Sequence, residues 1–113
     1  MIEITVETLK RCSVITLSGE ADHAAAPELE RGLLDLIKTG HRNLVLNLQA
    51  LTYISSAGLR ALMSAQREAQ QQTPPGKIVF SELPAVVETT FRLVGFHQLF
   101  DLYASDAQAV GSF

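Results

Sequence analysis

The sequence contains no tryptophan, a single cysteine and no long apolar run. Cys12 has no second cysteine with which to form a disulfide in the chain, so a reducing compartment is the simplest expectation. No apolar run approaches the roughly 18–20 residues that a membrane-spanning helix requires. The N-terminal residues also lack the basic segment, apolar block and small-residue cleavage site of a signal peptide. We therefore expect a cytoplasmic protein without membrane insertion.

Basic residues are sparse as well. The chain has nine Lys and Arg against twelve Asp and Glu, which gives a formal net charge of −3, and the basic residues are scattered along the sequence. Nucleic-acid binding normally needs a clustered basic face that neutralises phosphates. The composition therefore predicts no nucleic-acid partner, and it leaves protein partners open.

Motifs for catalysis, metals and cofactors are missing. The three histidines and Cys12 show no metal-ligand spacing, and the chain has neither a Walker loop nor a G-x-G-x-x-G segment. The segment 55–58 differs from a hydrolase nucleophile elbow, because the first glycine of that motif would have to stand where the chain has Ile54. We predict a protein that is not an enzyme, with no catalytic residue, metal or cofactor of its own.

The hydrophobic pattern predicts one α/β domain over residues 1–113, a length typical of a single domain. Alternation in residues 2–7 and β-branched residues in 12–19 indicate an opening hairpin. Strand-like and helical segments then alternate along the chain. The later strands are expected at 43–48, 77–80 and 99–103. The helices are expected from Pro27, after the serine pair at 55–56, from Pro84 and around Ala107. This order predicts a mixed sheet of four to five strands packed with three to four α-helices.

Two adjacent serines stand where an apolar run meets a helical pattern. Ser55 and Ser56 are followed by Ala57 and Gly58, which keep side-chain bulk low beside the two hydroxyls. Serine is a preferred N-cap residue, so capping accounts for one hydroxyl. Glycine early in a helix costs up to about 1 kcal/mol relative to alanine, which suggests that something approaches this turn closely, a partner's active site being one candidate. A phosphate here would meet free amides and the positive end of the helix dipole. The turn is therefore either a helix cap or a phosphorylation site.

Three segments of the chain resemble the STAS domain of bacterial anti-sigma factor antagonists. They are "GEADH" (19–23), "LVLNLQALTYISSAGLRAL" (44–62) and "LVGFHQLFDLYASDAQAV" (93–110). The resemblance implies a single STAS domain. In that family the serine two places before the motif glycine is phosphorylated, and Ser56 holds that position here. Many members have an acidic residue immediately before that serine. This chain has Ser55 instead, which leaves kinase recognition open and makes Ser55 a second candidate acceptor.

The resemblance also implies a partner-switching cycle in signal transduction and transcription regulation. The unphosphorylated domain would bind an anti-sigma factor that is also a serine kinase, and so release a sigma factor. Phosphorylation would end that binding and a serine phosphatase would restore it. Asp22 matches the loop aspartate of the family's GE-x-D motif, although a turn role explains an aspartate there equally well. The expected partner-binding residues are Glu20, Asp22, Ser55, Ser56, Ala57, Gly58 and Arg60, where Arg60 could equally be a solvated helix residue.

A STAS module in another assembly is the alternative. It could be a scaffold, a chemosensory adaptor or a subunit of a transport system. Ser56 would then cap a helix without ever being phosphorylated. The fold and the cap would look the same in both cases, so the sequence separates the two hypotheses poorly.

Overall fold

Residues 1–113 form six strands and five helices in the computed structural model. The strands are β1 (Ile2–Thr8), β2 (Ser13–Ala21), β3 (Leu44–Asn47), β4 (Leu51–Ile54), β5 (Ile78–Ser81) and β6 (Leu102–Tyr103). The helices are α1 (Ala26–Lys38), α2 (Ser56–Gln70), α3 (Ala85–Leu93), α4 (Phe96–Leu99) and α5 (Asp106–Gly111). The predicted α/β class with a mixed sheet is confirmed. The short elements β4 and α4 are additional to those expected from the sequence.

The sheet runs β1-β2-β3-β5-β6, and β4 also pairs with β2. Only the opening hairpin β1–β2 is antiparallel; the other pairs are parallel, as expected when helices connect successive strands. Strand β3 pairs with the first half of β2, from Ser13 to Thr16, whereas β4 pairs with the last residues of β2. The register of Ala21 with Ile54 brings the end of β4, and thus the serine turn, to the end of β2.

Helices cover both faces of the sheet, a point that the sequence pattern leaves open. One face packs against α1 to α4, through buried side chains such as Ile15, Leu46 and Leu62. The opposite face has a smaller core under α5, where Val14 and Val45 contact Ala109. Because side chains alternate along a strand, Val14 and Ile15 serve the two different cores. None of the five helices is both long enough and apolar enough to cross a bilayer.

A cluster of phenylalanine side chains packs α3 and α4 against the sheet. The ring centroid of Phe80 lies 5.1 Å from that of Phe91 and 4.9 Å from that of Phe100, both in edge-to-face geometry. Phe96 is also buried against this cluster. Val94 is 50% exposed, because α3 ends at Leu93 and the left-handed Gly95 (φ 81°) turns the chain into α4.

Buried polar groups attach α5 to the other face. The amide of Asn47, at the end of β3, donates to the two carboxylate oxygens of Asp106 at 3.0 and 3.1 Å, and to Glu82 at 3.3 Å. The buried Ser81 hydroxyl also donates to Asp106. These bonds pair the buried side chains of Asn47 and Ser81, which would be costly if they were left unpaired. They also fix the position of Asp106, the first residue of α5.

Candidate functional site

Ser55 is the N-cap of α2. Its backbone is extended, and its Oγ accepts a hydrogen bond from the Gly58 amide at 3.1 Å. The same Oγ donates to the carbonyl of Ala21 at 3.1 Å, and the Ser55 amide donates to that carbonyl at 2.9 Å. Ser55 therefore ties the start of α2 to the end of β2, and its side chain is fully engaged in the structure.

Ser56 has a different environment although it is the adjacent residue. It is the first residue of α2, it is exposed, and its hydroxyl forms no hydrogen bond with the rest of the chain. The amides of Ser56 and Ala57 donate no hydrogen bond either, as is usual in the first turn of a helix. The free hydroxyl thus lies at the positive end of the α2 dipole.

The two serines should respond differently to alanine substitution. Ser55→Ala removes the cap and the bond to Ala21, so we expect it to lower the free energy of unfolding by about 1 kcal/mol. Ser56→Ala removes no hydrogen bond and should change stability by less than about 0.5 kcal/mol. Urea unfolding of the two variants beside the unmodified protein measures this difference. Equal losses in both variants would contradict the assignment of the cap to Ser55.

Gly58 is buried and sits against the chain's own backbone. A Cβ atom at this position would lie 2.8 Å from the carbonyl oxygen of Ala21 and 2.9 Å from Cγ1 of Ile54. These distances are shorter than side-chain packing allows, so the close approach inferred from the sequence is made by β2 and β4. Gly58 can therefore shape a contact surface only indirectly, by letting α2 start close to the sheet.

The end of β2 and the residues that follow it border the serine turn. Asp22 accepts a hydrogen bond from the Ala25 amide at 2.9 Å through Oδ1, and its carbonyl accepts from the Ala26 amide, so it organises the start of α1. This is the turn role that the sequence left open for Asp22. Glu20 is exposed, and its side chain forms no hydrogen bond with the chain. Because Ser55 binds the Ala21 carbonyl, the structure brings these two acidic residues beside the serine turn.

Tyr53 extends this surface and is not suggested by the sequence motif. It is 49% exposed on β4 and stands opposite Glu20 in the strand register, three residues before Ser56. The run Leu-Thr-Tyr-Ile is rich in residues that favour strands, and this propensity, as distinct from a hydrophobic pattern, is the signal that could have indicated β4. Arg60 is exposed, forms no ion pair, and lies one helical turn after Ser56 on the same side of α2.

The accessible serine does not belong to a described cavity of the protein. Neither Ser55 nor Ser56 lines any of five surface cavities. No group of three or more His, Cys, Asp or Glu side chains is arranged to hold a metal ion. Burial raises the pKa of the Cys12 thiol, so this thiol stays protonated near neutral pH. The turn therefore presents an accessible hydroxyl with no general base bonded to it.

Comparison with known proteins identifies the family. The STAS domain model matches residues 3–109, so the chain belongs to the STAS family. BtrV of Bordetella bronchiseptica, named as an anti-sigma factor antagonist, is 31% identical over 112 residues, which cover 99% of this chain and 95% of BtrV. The anti-sigma-F factor antagonist RsfB of Mycobacterium tuberculosis is 24% identical over 92% of this chain and 83% of its own. The chain thus falls among the anti-sigma factor antagonists of the STAS family.

Solved structures agree in fold. An anti-sigma factor antagonist from Mycobacterium paratuberculosis superposes with a TM-score of 0.84 at 26% identity, covering 99% of this chain and 93% of that one. SpoIIAA in its unphosphorylated form superposes with a TM-score of 0.79 at 22% identity, over 96% of this chain and 93% of that one. SpoIIAA of Bacillus has also been solved in a phosphorylated form, with a TM-score of 0.72 at 20% identity, over 97% and 98% of the two chains.

Proposed function

We propose that this protein is a cytoplasmic, non-enzymatic anti-sigma factor antagonist whose docking is switched by phosphorylation of Ser56. The observation that carries the proposal is the exposed, unbonded hydroxyl of Ser56 at the start of α2, beside a serine that already provides the cap. The partner would be an anti-sigma factor with serine kinase activity. It would transfer the γ-phosphoryl group of its ATP to Ser56 Oγ, releasing ADP and a proton. A serine phosphatase would hydrolyse the ester and return the hydroxyl.

The fold should tolerate a phosphate at this position. The Ser56 and Ala57 amides donate no hydrogen bond, and they lie at the end of the helix where an anion is stabilised. Ser55 keeps its bonds to Ala21 and Gly58, because the modified group is on the neighbouring residue. The modification adds a charge of about −1.5 to −2 to a surface that already carries Glu20 and Asp22. We therefore expect phosphorylation of Ser56 to weaken docking and to leave the fold unchanged.

The proposed docking surface contains three exposed charged or hydroxyl side chains and one exposed aromatic. Glu20, Ser56 and Arg60 are exposed, while Asp22, Ser55 and Ala57 are half-buried and Gly58 is buried. We add Tyr53, whose exposed ring is suited to fill a pocket on the partner. A polar rim around one aromatic anchor is typical of transient interfaces. A kinase active site must also reach Ser56, and the position on an open surface allows this.

Binding by Ser56 variants tests the proposal. The unmodified protein, Ser56→Ala and Ser56→Asp are used as baits in the source lysate, retained proteins are identified by mass spectrometry, and the affinity of the purified partner is then measured. We expect Ser56→Ala to bind like the unmodified protein and Ser56→Asp to bind at least about tenfold more weakly, because part of the phosphate charge is imitated. Incubating the purified partner with ATP should add one phosphate to the unmodified protein and none to Ser56→Ala.

A control variant carries the same added negative charge at a position far from Ser56. Gln71→Glu adds one negative charge at the exposed C-cap of α2, roughly 20 Å along the helix from Ser56, and should leave the affinity unchanged. Equal affinities of Ser56→Ala and Ser56→Asp would contradict the switch. If both baits retain the same assembly without a kinase-like anti-sigma factor, the scaffold or adaptor function replaces the proposal.

A further inference from the structure

A basic cavity lies at the end of the sheet opposite the serine turn. It has a volume of about 250 Å³ and is bounded by the β1–β2 hairpin turn and by the connection from α1 to β3. Its lining residues are 8–13 and 39–43. The nine residues of β2 separate it from the serine turn by roughly 25 Å at the usual rise of a strand. The cavity is therefore independent of the docking surface.

The charges around this cavity are of one sign. Lys10, Arg11, His41 and Arg42 line it, and no Asp or Glu does. The two ion pairs of the structure, Lys77 with Asp101 and Arg92 with Glu88, involve none of these residues. Arg11 Nη1 donates to the main-chain oxygen of Phe113, at 3.4 Å. Three cationic side chains thus gather at a cavity that no Asp or Glu side chain lines, on a protein whose net charge is −3.

Arg42 contributes an unpaired buried donor beside the cavity. Its Nε atom is buried and has no hydrogen-bond partner in the structure. A buried donor that belongs to a charged group is costly when it is unpaired. The main chain of Arg42 packs closely against Gly76, where a Cβ atom would overlap the Arg42 carbonyl oxygen.

Neutral polar groups complete the lining. The Ser13 hydroxyl lies 2.8 Å from Nδ1 of His41, which orients the imidazole and leaves its Nε2 atom without a partner. The side-chain amide of Asn43 donates a hydrogen bond to the Arg11 carbonyl at 3.4 Å. This bond links the hairpin turn to the connection before β3. The two segments, distant in sequence, thereby form one polar wall.

We propose that this cavity binds a phosphate-type dianion, either free orthophosphate or the phosphoryl group of a small molecule. Several cations without acidic neighbours favour a doubly charged ligand over a single carboxylate. The planar guanidinium of Arg42 suits the bidentate geometry of phosphate oxygens. The volume of about 250 Å³ accommodates a phosphoryl group with a short organic portion and is slightly below the range of typical ligand pockets, which begins at about 300 Å³.

Amide-resolved NMR titration with inorganic phosphate tests this site. Sodium phosphate is added at constant ionic strength against sodium chloride, and a second series uses glycerol 3-phosphate. We expect saturable shifts at residues 9–13 and 39–43. Arg42→Gln and Lys10→Gln should each weaken binding roughly fivefold to tenfold, because each removes one charge-assisted contact at a partly hydrated site. Lys10 is exposed in the hairpin turn, so its variant tests the site even if the Arg42 variant folds poorly.

Arg31→Gln is the matched control, since it removes the same charge from an exposed position on α1 that does not line the cavity. It should leave the affinity unchanged. Tighter binding of orthophosphate identifies the free anion as the ligand, and tighter binding of glycerol 3-phosphate identifies an organic phosphate. The proposal is overturned by shifts that do not saturate, by shifts confined to residues 55–58, or by equal weakening in the Arg31→Gln and Lys10→Gln variants. Each of these results leaves the proposed switch at Ser56 untouched.

Discussion

Replacing Phe80 by alanine should lower the free energy of unfolding by about 3–5 kcal/mol, the largest loss that we expect from a single substitution in this protein. Phe80 is fully buried on β5, and its ring makes edge-to-face contacts with Phe91 of α3 and with Phe100. Truncation removes the apolar burial of the ring and both aromatic contacts, and it leaves a cavity that three separate elements would have to close. Urea denaturation followed by circular dichroism measures the loss.

Leu93→Ala is the control for this experiment. It also truncates an apolar side chain of the α3–α4 region, but Leu93 is 82% exposed, so the change in stability should be within about 0.5 kcal/mol. Phe80→Leu retains part of the buried volume and should fall between the two. If Phe80→Ala cost no more than Leu93→Ala, the aromatic cluster would not be the contact that holds α3 and α4 on the sheet.

The fold was predictable to the extent that its elements repeat a simple hydrophobic pattern. The opening hairpin alternates, β3 and β5 are short apolar runs, and α1 and α2 place buried residues at helical spacing, so all of these are visible in the sequence. Strand β4 is different, because Leu51 and Ile54 are buried while Thr52 and Tyr53 are exposed, which is neither alternation nor a continuous apolar run. Its strand conformation depends on pairing with β2 across a register shift, a tertiary contact.

The sequence singled out the serine pair, but it did not show which serine caps the helix and which has a free hydroxyl. Either hydroxyl could cap a helix that begins nearby, and local propensity does not distinguish adjacent serines. The distinction arises because the carbonyl of Ala21, far away in the sequence, accepts from both the amide and the hydroxyl of Ser55. That contact sets where α2 begins, and Ser56 is left exposed as a consequence.

The basic cavity illustrates the same limit for charge patterns. Lys10 and Arg11 are adjacent in the chain, but Arg42 and His41 are about thirty residues away, so a scan for clustered charge finds only scattered basic residues. The parallel pairing of Ser13 with Leu44 brings the two segments to one end of the sheet. The prediction that nucleic acid is not a partner rested on this scatter, and the cavity is too small to change that expectation.

Gly58→Ala is the second substitution with a large expected effect, because it fills the space between α2 and the sheet. The added methyl group would lie 2.8 Å from the Ala21 oxygen and 2.9 Å from Ile54 Cγ1, and the first of these is backbone that cannot rotate away. Overpacking of this kind costs about 1–3 kcal/mol. The better helix propensity of alanine offsets up to about 1 kcal/mol of that cost. We expect a net loss of stability, measured by urea unfolding.

The same substitution should also weaken docking. The methyl group would displace the start of α2 from Ala21, whose carbonyl accepts both hydrogen bonds from Ser55. Ser56 and Arg60 would then move relative to Glu20. Gly111→Ala is the matched control, since it makes the same change near the end of helix α5, where a Cβ atom would meet nothing within 4 Å. It should not lower stability, and it should leave binding unchanged.

The combination of the two measurements separates the two explanations for this glycine. A loss of stability in Gly58→Ala, absent in Gly111→Ala, means that the chain's own backbone requires glycine at this position. Unchanged stability with lost binding would mean that the partner approaches the turn so closely that it excludes a methyl group, as the sequence first suggested. Gly58 is buried beneath the exposed Ser56, so we expect the first result, with any loss of binding following from the displaced turn.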